Sequence, residues 1–211
     1  MQWMGELFMT EILPGAIGTI QVSVIALIAT GVMATLVFPL ISPLFFGRIT
    51  RLLGNAALII LRSTPEYVLA FIFMLLWGPS MLPVIVALVL HNGAIIGHIV
   101  GRYSENVDLR IDSSTGFNRY IYEVLPRVYR QLLSLLFYRW EIIARESAVL
   151  GMLGVYTLGF YIDSGFADLR FDRVIILLLF MSLFIVIIDA ISRVVRRSLR
   201  LSTKLVSEHN Q

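Results

Sequence analysis

The chain has 211 residues, 58% of them hydrophobic and only 15% charged, against roughly 25% charged in an average soluble domain, and its mean hydropathy is +0.84. A water-soluble globule of this size would leave much of that apolar surface facing water, whereas lipid accepts it. The net charge of +3 does not mark a nucleic-acid partner, because the basic residues flank hydrophobic runs and form no soluble basic face; with no cysteine, disulfide and thiol chemistry are excluded.

Five apolar runs are predicted to cross a membrane. The stretch before the first, Met1 to Glu11, carries Glu6 and Glu11 and no basic residue, unlike a cleaved signal peptide. The first run, 12–40, is interrupted only by uncharged residues such as Thr19, Gln21, Ser23 and Thr30 and exceeds the roughly 20 residues that span the hydrocarbon core. Pro39 and Pro43 end it, and Gly47 to Arg51 makes a short basic turn. The second run, 52–77, is broken by Arg62-Ser63-Thr64-Pro65-Glu66; a proline there kinks the helix and frees a carbonyl that needs a partner.

Gly78-Pro79-Ser80 forms an outer turn before the third run, 81–100, which contains His91, Asn92 and His98. The polar stretch from Gly101 to Arg130 follows, with Asp112-Ser113-Ser114-Thr115-Gly116 reading as a turn with helix-start chemistry; one or two short helices along the membrane surface are expected there. The fourth run, 128–152, holds Tyr138-Arg139-Trp140-Glu141 and Arg145-Glu146. A segment bearing Gly151, Gly154, Gly159 and Gly165 follows, then the fifth run, 174–191, with Asp189, and a tail with Arg193, Arg196, Arg197, Arg200 and Lys204.

With five spans, Arg48, Arg51, the 101–130 stretch and the tail fall on one side. The other side keeps Arg170 and Arg173, balanced by Asp163, Asp168 and Asp172. The positive-inside rule then places the polar stretch and the C-terminus in the cytoplasm and the N-terminus outside. The expected fold is one all-α membrane domain over 1–211.

Ionisable residues inside spans cost a few kcal/mol each at the bilayer centre and should face protein or water. Arg62 and Glu66, four apart, are expected on one helix face, either lining a substrate path or pairing at the helix break. His91 reads either as a ligand or proton carrier or as a satisfied packing residue. His91 and His98, seven apart, share a face but have no nearby carboxylate in sequence, so no metal site is expected. Glu141 and Arg145 are spaced for a structural ion pair, as are Asp189 and Arg193. No phosphate-binding glycine loop with lysine, HExxH or GxSxG is present. No enzymatic activity is expected, and any ATP must be held by another chain.

Three blocks carry a resemblance. They are Leu61-Arg62-Ser63-Thr64-Pro65-Glu66 with Tyr67 to Phe73; Ala87 to Asn92 with Gly97 and Glu105-Asn106-Val107-Asp108; and Leu125-Pro126 through Phe137-Tyr138-Arg139-Trp140-Glu141 to Arg145, Ser147 and Val149-Leu150-Gly151. Ile187-Ile188-Asp189 and the arginines after it add a fourth. In order and spacing they resemble the permease subunit of phosphonate-type ABC importers, within the binding-protein-dependent transport system inner membrane component family, over about Gly18 to Arg197.

The resemblance implies a five-helix, MetI-like type I permease in a prokaryotic inner membrane. It would pair with a second permease copy or a different permease chain, sit over a cytoplasmic ABC ATPase dimer that binds the ATP, and be fed by an external solute-binding protein. The cargo would be a phosphonate or related small phosphorus oxyanion, and the chain itself would bind no cofactor. Arg62, Ser63, Glu66, His91, Asn92 and Arg139 become the expected substrate path, since an anion in a low-dielectric path needs donors or positive charge. The segment 101–127 becomes the coupling surface, with Glu105, Asp108, Arg110, Gly116, Arg119, Glu123 and Pro126.

Two departures stand out. Gly116 lies only ten residues before Pro126, with no Glu-Ala-Ala motif ahead of it, and Val155-Tyr156-Thr157 occupies positions where the family carries small residues. Either the ATPase-facing surface differs, or the chain pairs with a second, more regular permease chain. The chain also begins close to the first core helix, without the additional N-terminal helix of many relatives. The alternative reading is a non-transporting assembly or regulatory subunit derived from such a permease.

Overall fold

The computed structural model describes residues 2–110, 113 and 115–208, with side chains described between 3 and 199. Asp112 and Ser114 of the expected turn, and the side chains of Arg200 and Lys204, lie outside the described residues. Every regular element among them is helical: α1 Gln2–Leu7, α2 Leu13–Val37, α3 Arg48–Ser63, α4 Glu66–Trp77, α5 Met81–Ser104, α6 Phe117–Arg119, α7 Leu125–Leu150, α8 Leu158–Ala167 and α9 Phe171–Glu208. A π-type turn, Phe8–Ile12, joins α1 to α2, so Trp3–Ile41 forms one long apolar helix.

Three helices, Trp3–Ile41, Met81–Ser104 and Phe171–Leu199, are long and apolar enough to cross a bilayer. Two bent pairs bring the number to five if each is one span: α3 with α4, turned by 91°, and Phe117–Leu153 with α8, turned by 41°. The expected surface helices take a different form. Phe117 onward runs through α6 and a π-type turn, Tyr120–Val124, straight into α7. Pro126 follows the π-type turn inside this continuous helix, and its missing N–H leaves one rung of the backbone ladder open there.

The core is built on close approach of small residues. Along α5, Gly93, Gly97 and Gly101 recur every fourth residue and meet Met33, Val37 and Ile41, which recur at the same interval on the first helix. A Cβ on Gly97 would stand 2.5 Å from Val37 Cγ2, and one on Gly101 would stand 2.3 Å from Ile41 Cγ1. Only glycine lets these two parallel helices pack so tightly. Ser42 and Ser104 continue the seam with a 3.0 Å hydroxyl–hydroxyl bond.

α7 closes the bundle over this pair. Val128, Leu132, Leu136 and Ile143 pack with Ala26, Ala34, Phe38, Leu88 and Ile96 in one buried cluster. α8 lies against the start of α2: the Leu158 amide donates to Thr19 Oγ1 at 3.1 Å, and Gly18 faces the Tyr156 carbonyl. α9 completes the ring. At one end Arg173 Nη1 meets Glu11 Oε1 at 2.7 Å, tying α9 to the first helix. At the other, Asp189 takes Arg193 at 3.0 Å and Arg196 at 3.9 Å, the first being the pair expected from spacing. Ile17, Ile28, Val32, Leu36, Leu179, Leu183 and Val186 remain exposed and form an apolar outer surface suited to lipid.

Candidate functional site

The break between α3 and α4 builds the site. Pro65 has no N–H and forces Thr64 out of helical conformation, to φ −79° and ψ 122°, and the chain turns through 91°. Arg62 and Glu66 therefore do not share a helix face, contrary to expectation. Arg62 ends α3 exposed and interacts electrostatically with His98. Glu66 opens α4 with 9% exposure, where its carboxylate meets the positive end of the helix dipole. Ser63, also exposed, stays outside the cluster.

The 12 residues of α4 rise only about 18 Å, a little over half of the roughly 30 Å hydrocarbon core. Glu66 and His91 lie at matching depth on either side of the Gly78–Ser80 turn, because eleven residues separate Glu66 from Trp77 and ten separate Met81 from His91. His91 supplies the partner that the proline break demands. Its Nδ1 stands 3.0 Å from the Thr64 carbonyl, which only accepts, so Nδ1 carries the proton. Nε2 then faces Glu66 Oε2 at 3.8 Å.

The next residue of α5, Asn92, is fully buried. Its Nδ2 donates to the Leu88 carbonyl at 3.0 Å and to Glu146 Oε2 at 3.1 Å, while its Oδ1 has no partner among the described residues. Glu146 also interacts electrostatically with Glu66, Arg139 and His91. Arg139, seven residues before Glu146, is on the same side of α7; its buried Nε has no hydrogen-bond partner among the described residues. The structure thus brings together Glu66, His91, Asn92 and Arg139 from the expected path and leaves Arg62 and Ser63 at its edge.

Glu146 was missed, since in sequence it sits beside the Arg145 of the Glu141–Arg145 pair, and that exposed pair does form. The signal was periodic: Arg139, Ile143, Glu146 and Leu150 mark one face of α7, and Ile143 and Leu150 are buried. Two carboxylates, a guanidinium and an imidazole make a mixed-charge polar cluster in which Asn92 Oδ1 and Arg139 Nε have no hydrogen-bond partner among the described residues. No group of three or more His, Cys, Asp or Glu placed to hold a metal ion occurs among the described residues.

The residues expected to form the coupling surface lie at the basic end. Arg102 meets Glu105 at 3.8 Å, Arg119 donates to the Leu44 carbonyl at 3.4 Å, and Arg127 donates to the Asp108 carbonyl. Tyr120 anchors this end. Its ring lies 5.5 Å from Phe38 and 5.8 Å from Phe45, and its hydroxyl donates to the Thr35 carbonyl at 2.8 Å. Asp108, Arg110 and Pro126 are exposed; so is Gly116, at φ +69°. Glu123 is half-buried, with Oε2 unpartnered among the described residues.

Known proteins share both the sequence pattern and the fold. Residues 28–201 match the family "Binding-protein-dependent transport system inner membrane component". The chain is 33% identical to the phosphite transport system permease protein PtxC of Stutzerimonas stutzeri over 161 residues, covering 74% of this chain and 57% of that protein. It is 28% identical to the phosphate-import permease protein PhnE of Mycolicibacterium smegmatis over 126 residues, covering 57% of this chain and 24% of that protein. It therefore spans little more than half of the first relative and a quarter of the second. A structure of the MetNI methionine ABC transporter in inward-facing conformations superposes with a TM-score of 0.75 at 15% identity, over 91% of this chain and 97% of that one. With five candidate spans, the matching helix order and a family match across most of its length, the chain is a member of the binding-protein-dependent transport system inner membrane component family, with the MetI-like permease fold.

Proposed function

We propose that the chain is the permease subunit of an ATP-driven importer and that the cluster of Glu66, His91, Asn92, Arg139 and Glu146 forms the mid-membrane part of its path. The single observation that carries this is the convergence of Glu66, His91, Asn92 and Glu146 from α4, α5 and α7 in one buried to half-buried cluster beside the break at Pro65, with Arg139 two turns away on the same side of α7. Charged groups within a span are costly and are kept where they face a pathway. Likeness to phosphite and phosphate permeases supports a small phosphorus oxyanion as cargo. Arg139, whose buried Nε has no partner among the described residues, is the donor suited to it, and Glu146 interacts with it electrostatically from the same side of α7.

The N-terminus is outside and the C-terminus cytoplasmic in this reading, as the arginine distribution requires. The exposed residues of 101–127, Asp108 and Arg110 among them, form the docking face for an ATPase dimer. A second permease chain completes the path, an external binding protein delivers the anion, and the chain itself catalyses nothing. The test is uptake of labelled phosphite, phosphate and methylphosphonate by cells expressing this chain with its co-purifying subunits. Arg139→Gln should cut uptake of the favoured anion at least tenfold while the complex still assembles. Unchanged uptake, or co-purification with no ATPase, would overturn the proposal.

A further inference from the structure

The basic end holds a second concave site, apart from the Glu66–His91–Asn92–Glu146 cluster and bordering the proposed docking segment at Tyr103, Pro126 and Arg127. A cavity of about 900 Å³ opens between the end of α5, the first half of α7 and the last third of α9. From α7 come Arg127 and Arg130, three residues apart on one face; from α9 come Arg193, Arg196 and Arg197. Among the described residues, no aspartate or glutamate lines it. The acid facing the arginines, Asp189, pairs with Arg193 and Arg196 one turn deeper in the membrane. Arg196 also stacks on the Tyr138 ring at 5.3 Å, which fixes its planar fork. Asp189 offsets part of this charge, and the arginine-rich lining leaves a field that favours an anion.

Two features identify the anion's carrier. The first is depth. The twenty-two residues from Phe171 to Arg193 rise about 33 Å, so the arginines stand where the hydrocarbon core gives way to headgroups. The second is the composition of the wall. Leu135 and Leu199 line the same cavity, and Ile191 and Val194 of α9 are 46% and 67% exposed beside it. A free phosphate has no use for an apolar wall, whereas an acyl chain has. We propose that this cavity binds the phosphate of an anionic phospholipid from the adjoining leaflet, with its chains along the exposed face of α9.

The test is native mass spectrometry of the complex purified through this chain, with phosphatidylglycerol, phosphatidylcholine or inorganic phosphate added. Retention of phosphatidylglycerol at least tenfold over phosphatidylcholine is expected, with a tenfold loss in Arg130→Gln/Arg197→Gln and no loss in Arg48→Gln/Arg51→Gln. If the double variant fails to fold, the exposed Arg197→Gln alone should still show a several-fold loss. Equal retention of the two lipids, or equal retention by wild type and the arginine variants, would overturn the proposal. Displacement of phosphatidylglycerol by equimolar inorganic phosphate would assign the cavity to a free anion and overturn the lipid source.

Discussion

Asn92 on α5 donates to Glu146 on α7 at 3.1 Å, joining two helices at mid-depth across fifty-four positions of sequence. Asn92→Leu would leave the half-buried Glu146 without that donor, at a cost of about 1–3 kcal/mol. The purified variant should melt several degrees lower in a detergent thermal-shift assay. Glu146→Gln retains an acceptor for Asn92 and should stay close to wild type in stability while losing uptake. Loss of stability in Glu146→Gln equal to that in Asn92→Leu would show that the bond matters only for packing.

His91 and His98 lie on one helix but do different work. His91→Phe strands the Thr64 carbonyl at the proline break and should destabilise by about 1–3 kcal/mol. His98 Nδ1 is buried with no partner among the described residues. Replacing that ring with an apolar side chain, as in His98→Leu, should be close to neutral or slightly stabilising. Parallel melting curves of the two variants settle the contrast.

The seam between the first helix and α5 predicts a paired rescue. Gly97→Ala sets its Cβ against Val37 Cγ2 and, as an overpacked contact, should cost about 1–3 kcal/mol. The other neighbours stand at 3.6 Å or more, so Val37→Ala in the same chain should recover most of the loss. Gly5→Ala, whose Cβ meets nothing within 4 Å, should leave stability unchanged or slightly raised. Monodispersity and melting temperature in detergent are the readouts.

Orientation can be read directly because the chain has no cysteine. Single-cysteine variants Ser113→Cys and Ser198→Cys should resist a membrane-impermeant maleimide in intact cells and react once the inner membrane is opened. Leu169→Cys, at the opposite end, should react from outside. Labelling of Ser198→Cys in intact cells would reverse the topology.

Much of the fold was legible in the sequence because its causes are local. Long uncharged runs marked the spans, Pro65 marked the break, and four-residue spacing marked both Glu141–Arg145 and Asp189–Arg193, which the structure forms. The same spacing misled at Arg62 and Glu66, because the rule presumes an unbroken helix and Pro65 stands between them. The Asn92–Glu146 bond was invisible, since nothing local couples positions on separate helices. Nor did the sequence show that Phe117 onward continues into α7; that depends on Tyr120 finding Phe38 and Phe45, which are contacts between distant segments.

Met33, Val37 and Ile41 sit opposite Gly93, Gly97 and Gly101 like teeth in a rack. Slippage of one helix along the other would have to jump a full repeat of four residues, about 6 Å, before any tooth found a notch. The first helix and α5 therefore behave as a single strut. A rearrangement that opens the molecule first to one side and then to the other has to hinge where the backbone is already interrupted, at Thr64-Pro65 and between α7 and α8.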